Sequence, residues 1–141
     1  MHFFREIAID AAPDRVWAIM RDVERWHEWT ASVTSVRIAG GGPLQAGKRA
    51  WIRQPKFPPA LWQVTEIDEA GRNFTWISRG PGMLVTARHG VDAAGTGSRA
   101  HLSLRYEGLL GPLFGRLTRG ITERYLDLEA NGLKRRSEGV G

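Results

Sequence analysis

The stretch that most constrains this chain is its beginning, residues 7–29. A short apolar strand over 3–9 ends at Asp10. Pro13 then falls where a first helical turn would lie; its fixed φ suits that turn, and its missing N–H is not needed there. Val16, Trp17 and Met20 recur at helical spacing, which predicts a helix over 13–20 with one apolar stripe. A second short helix is expected over 22–28, with Trp26 on it and Trp29 three residues further on. Everything after that reads as strands, until one final helix. A strand, two short helices, many strands and a long last helix is an unusual order, and it points toward a ligand cavity.

The strands are marked by their breakers. The second is expected over 33–38, rich in β-branched residues. The glycines at 40–42 and Pro43 then interrupt the chain. Further strands are expected over 48–54, 61–67, 73–78, 83–91 and 98–107. Pro55, Pro58 and Pro59 bound a loop that carries Phe57, and turns at 68–71, 79–82 and 92–97 separate the rest. Short turns make neighbouring strands antiparallel. The final helix is expected to begin near Pro112. Leu113, Phe114, Leu117, Ile121, Tyr125 and Leu128 form its apolar face, with the charged residues mostly elsewhere around the wheel. No internal repeat and no long linker divides the 141 residues, so one domain over 1–141 is expected.

Composition excludes several classes. Hydrophobic residues make up 42% and charged residues 25%, ordinary values for a globular protein. With no cysteine there is no disulfide, no thiolate nucleophile and no cysteine metal site. No apolar run approaches the roughly 20 residues of a membrane span. A basic region followed by an apolar core is missing at the start, so no signal peptide is read and a cytoplasmic location is expected. The net charge of +5 invites a nucleic-acid reading. The basic residues are scattered, however, and the one dense group, Lys134-Arg135-Arg136, ends the last helix, where cations complement its dipole. No nucleic-acid partner is expected.

The order of elements and several short motifs resemble the START/Bet v 1-like superfamily (SRPBCC), in its polyketide cyclase/dehydrase and lipid-transport branch. The residues that carry the resemblance are Ala12-Pro13-x-x-Val16-Trp17, Asp22-x-x-x-Trp26-x-x-Trp29 and Trp62-x-Val64-x-Glu66. Gly95-Thr96-Gly97-Ser98-Arg99 and the helix after Tyr106-Glu107-Gly108 complete them. The resemblance covers roughly residues 3–136. It implies an α+β helix-grip fold: a seven-stranded curved antiparallel sheet, two short helices after the first strand, and a long C-terminal helix across the sheet. It also implies a deep, largely apolar pocket between sheet and helix, holding a small hydrophobic molecule in a monomer or homodimer. The alternative that the family suggests is a cyclase or aromatase acting on a poly-β-ketone in the same pocket. These patterns specify a fold; site chemistry varies freely on one scaffold.

Strand alternation sorts side chains into faces but leaves open which face is the concave one. Trp51 and Arg53 share a face opposite Ala50 and Ile52. Trp62, Val64 and Glu66 share one, as do Phe74, Trp76 and Ser78. The expected ligand-binding residues are Trp51, Trp62 and Trp76 on the sheet and Phe114, Leu117, Ile121 and Tyr125 on the helix. For catalysis the candidates are Arg88, His89 and His101, on two neighbouring strands; polar strand residues facing water would look the same. A general acid or base usually needs an orienting carboxylate, and spacing assigns none to these histidines. No histidine pair or cluster has metal-ligand spacing, and the glycines at 40–42 are not followed by Lys-Ser/Thr at P-loop spacing, so neither metal nor cofactor is expected.

Overall fold

A computed structural model describes residues 1–139. The elements run β1 (His2–Ile9), α1 (Pro13–Arg21), a 3-10 helix (Val23–Glu28), β2 (Ser35–Ile38), β3 (Arg49–Arg53) and β4 (Ala60–Asp68). They continue with β5 (Asn73–Gly80), β6 (Met83–Ala94), β7 (Gly97–Glu107), α2 (Gly111–Leu117) and α3 (Arg119–Glu138). All seven strands form one antiparallel sheet in the order β1-β7-β6-β5-β4-β3-β2. A register shift between Val64 and Glu66 bends β4, as bulges do.

The opening segment folds as its residues dictate. Pro13 sits in the first turn of α1, and Val16, Trp17 and Met20 are its buried residues. The second short helix is of the tighter 3-10 type, and the indole of Trp26 donates to the Met20 carbonyl at 2.8 Å. That bond fixes the angle between the two helices and satisfies a buried indole N–H, which would otherwise be costly.

Alternation now selects the inner face of the sheet. Ala50 and Ile52 on β3, Phe74 and Trp76 on β5, Val85 and Ala87 on β6 and Leu102 on β7 are buried. Trp51 belongs to the opposite alternation and remains 50% exposed. Helix α3 packs against β1, β7 and α1. It passes the end of the 3-10 helix at Gly132, where a Cβ would sit 2.0 Å from the Trp29 carbonyl oxygen, so only glycine allows this approach.

Three details differ from the sequence reading. The hairpin between β6 and β7 is tighter than a 92–97 loop: pairing continues to Ala94 opposite Gly97, and Gly95 turns the chain with φ +58°. The strand expected over 33–38 is confined to Ser35–Ile38. The long C-terminal helix starts at Arg119 rather than near Pro112, because the helical region is divided at Thr118. There the Thr118 hydroxyl donates to the Phe114 carbonyl at 2.8 Å, the side-chain-to-backbone competition that bends helices. At the far end, Lys134 and Arg136 are paired with Glu138 and Glu28 at 2.6 and 2.5 Å. The Lys134 ammonium, and then the Asp10 N–H, hold the Glu138 carboxyl below the usual carboxylate range.

Candidate functional site

The inner face of the sheet and α3 enclose a cavity of about 570 Å³. Its walls are mostly apolar: Trp62, Trp76, Ala87 and Leu104 from the strands, Phe114 from α2 and Leu126 from α3. The loop after β3 closes one side, where Phe57 lies against Phe114 and Tyr125 with ring centroids 6.3 and 5.8 Å away. The Tyr125 hydroxyl donates to the Pro55 carbonyl and ties this loop to α3.

The expected ligand-binding residues divide. Trp62, Trp76, Phe114 and Tyr125 line the cavity, and Trp51 borders it while half exposed. Leu117 and Ile121 are not in its wall, and Leu117 is 76% exposed. The break at Thr118 explains this. A wheel drawn without it puts Leu117 and Ile121 beside Phe114 and Tyr125. In the structure α3 instead turns Thr122, Tyr125, Leu126 and Glu129 inward.

The expected polar residues divide as well. Arg88 is exposed, on the alternation opposite buried Ala87 and His89. His101 lies over Gly90 and faces Asp92 at 3.4 Å, away from buried Leu102. His89 alone lines the cavity. Its ring is stacked on Phe74, with centroids 4.7 Å apart and planes 7° apart, and Trp26 lies 5.0 Å away.

The carboxylate that spacing failed to supply comes from α3. Nε2 of His89 lies 2.9 Å from Oε1 of Glu129, and both side chains are largely buried. A carboxylate at Glu129 accepts, so the proton in this bond is the one on Nε2. Nδ1 is buried with no hydrogen-bond partner. Glu129 is the less buried side chain of the pair, 13% exposed against 6% for His89. The accessible member of the pair is therefore the carboxylate, with the imidazole fixed behind it. Glu129 left a signal in the sequence: it sits three residues after Leu126 and four before Leu133, a charge inside an apolar stripe.

Further polar side chains border the cavity, among them Tyr106 and Thr122. Tyr106 and Thr122 place their hydroxyls 3.3 Å apart, and burial pushes the Tyr106 phenol above its ordinary pKa. Desolvation also raises the Tyr125 phenol. Among the described residues, no group of three His, Asp or Glu side chains is arranged to hold a metal.

The sequence matches the family profile described as polyketide cyclase/dehydrase and lipid transport over residues 1–138. No curated protein matches it. Among solved structures it is similar to a protein of Thermus thermophilus, with a TM-score of 0.79 and 20% identity, covering 100% of this chain and 99% of that one. It is also similar to the Zhui aromatase/cyclase of Streptomyces sp. R1128, with a TM-score of 0.79 and 13% identity, over 98% and 93% of the two chains. A hypothetical protein of Helicobacter pylori gives a TM-score of 0.82 at 14% identity, over 97% and 88%. At these identities the likeness speaks for the fold.

Proposed function

We propose, from the premise that this chain belongs to the polyketide cyclase/dehydrase and lipid transport family, that it binds a small lipophilic or aromatic molecule in the cavity between sheet and α3. The observation that carries this reading is the cavity itself. Its volume of about 570 Å³ suits a small ligand, and its few polar groups suffice to set orientation. Trp62, Trp76, Phe114 and Tyr125 supply aromatic walls, while Glu129 and Tyr106 supply the polar contacts.

The test is to fill the space. Leu104 lines the cavity from β7 and is only partly buried. Leu104→Trp is expected to weaken binding of an apolar fluorescent probe at least tenfold in a protein that still melts cooperatively. Ile121→Trp, outside the cavity wall, is the control and should leave affinity unchanged. Full probe affinity in folded Leu104→Trp would end the reading.

The pairing of His89 with Glu129 favours a second reading, catalysis in the same cavity. The reaction would be an aldol-type cyclisation or dehydration of a poly-β-ketone. Glu129 would take a proton from a methylene flanked by two carbonyls; the resulting enolate would attack a further carbonyl, and the proton would return to the new alkoxide. A shaped cavity contributes by holding a flexible chain in a reactive conformer. Glu129→Gln keeps an acceptor for His89 but cannot take a proton. It is expected to lower turnover of a poly-β-ketone by about 10²-fold or more, the usual loss for a general base, with probe affinity retained. Undiminished turnover would remove Glu129 from the chemistry.

A further inference from the structure

Three segments meet at one end of the cavity: the 55–59 loop, the 79–83 turn and residues 108–119. Phe57 lies against Phe114, and the Leu110 N–H donates to the Gly82 carbonyl at 2.9 Å. Pro58, Pro81 and Phe114 all border the cavity, so the three segments form one rim. The outer side of this rim is apolar. Leu109 is 96% exposed, Leu113 54% and Leu117 76%. Its charge is of one sign: the three segments contain Lys56, Arg79, Arg116 and Arg119, and no Asp or Glu. Arg119 alone of these has an acidic neighbour, Glu123 at 3.6 Å, in an exposed pair.

Protruding leucines are costly in water, and here the cations Lys56, Arg79, Arg116 and Arg119 outnumber the flanking carboxylates, Glu107 and Glu123. A folded partner needs a matching groove for each leucine; a fluid bilayer does not. Apolar side chains on a basic surface suit the boundary between anionic headgroups and acyl chains, where the leucines enter and the cations meet lipid phosphates. We propose that this rim docks the protein on an anionic phospholipid surface, with this end of the cavity against the lipid. A lipophilic ligand then passes between bilayer and cavity without crossing water, a consequence that rests on the cavity reading, whereas the docking itself does not.

The experiment is co-sedimentation of the full chain with phosphatidylcholine vesicles, with and without phosphatidylglycerol. Capture is expected on the anionic vesicles at low salt, little on pure phosphatidylcholine, and progressive release as salt screens the charges. Leu109→Ser with Leu113→Ser, and separately Lys56→Glu with Arg116→Glu, should each lower capture about tenfold or more. Both double variants should keep soluble-probe affinity, which reports an intact fold and cavity. Failure of anionic vesicles to capture the protein would overturn the proposal, as would capture indifferent to both variants. So would light scattering showing a dimer that the leucine variant dissociates, since the leucines would then belong to a second copy. Vesicle capture without probe binding would support docking and count against the cavity reading alone.

Discussion

Truncating Phe74 to alanine is expected to cost about 3–5 kcal/mol, the range for removing a buried aromatic ring. Phe74 is fully buried, with 0% exposure. It stands at the centre of an aromatic cluster: Trp76 meets it edge-on at 5.2 Å, and Trp17 and Trp26 lie 6.2 and 6.4 Å away. The His89 ring lies flat against it. These neighbours come from α1, the 3-10 helix, β5 and β6, so the space left behind cannot close by moving one of them. A domain of this kind has about 5–15 kcal/mol in total, which makes this one substitution a large fraction of its stability. Denaturant unfolding reads the result as a lower midpoint at unchanged slope. Phe74→Leu, which keeps most of the volume, should lose less. A loss below about 1 kcal/mol for alanine would show that the cluster is not close-packed.

Gly132→Ala should also destabilise the fold, against the helix propensity of the two residues. Alanine in a helix interior is favoured over glycine by up to about 1 kcal/mol. At Gly132 the added methyl meets the Trp29 carbonyl oxygen at 2.0 Å and the carbonyl carbon at 3.0 Å. Backbone atoms cannot turn aside as a flexible side chain can, so α3 must lift from the end of the 3-10 helix. Overpacking of this kind costs about 1–3 kcal/mol and occasionally more, which outweighs the propensity gain. Gly120, on the same helix with open space around its Cβ direction, is the contrast. Gly120→Ala is expected to be neutral or mildly stabilising in a thermal melt. Equal behaviour of the two variants would disprove the close approach at Gly132.

The elements were largely legible because their signals are local, whereas their layout, a sheet curved around the last helix, came from the family resemblance. Pro13 with Val16, Trp17 and Met20 sets α1, and the alternation at Phe74 and Trp76 puts the two rings on one face of β5. What was not legible depends on where helices cross. The break falls at Thr118, whose hydroxyl and N–H both donate to the Phe114 carbonyl, and no hydrophobic period records that. Once the phase shifts there, Leu117 and Ile121 leave the cavity wall, and Thr122 and Glu129 enter it. His89 and Glu129 are 40 residues apart, on a strand and on a helix. Their contact exists only because α3 lies across the sheet, and strand parity alone could separate His89 from Arg88 but could not choose the inner one.

The position of β1 has a consequence for the growing chain. Its partner in the sheet is β7, with Phe3 opposite Leu104 and Ile7 opposite Ala100. Strands β3 to β7 can each pair with the strand made just before, whereas the first strand waits for the last. At ribosomal speeds of about 5–20 residues per second, that wait is roughly 5–20 s for about 100 residues. During it, β1 offers unpaired amides and carbonyls together with Phe3 and Ile9, the features that recruit a stray strand from another chain. Sequence-distant closure of this kind is also slow in the isolated protein. Assembly thus ends with the two ends of the strand series joining, and the nascent chain is at its most vulnerable to aggregation just before that join.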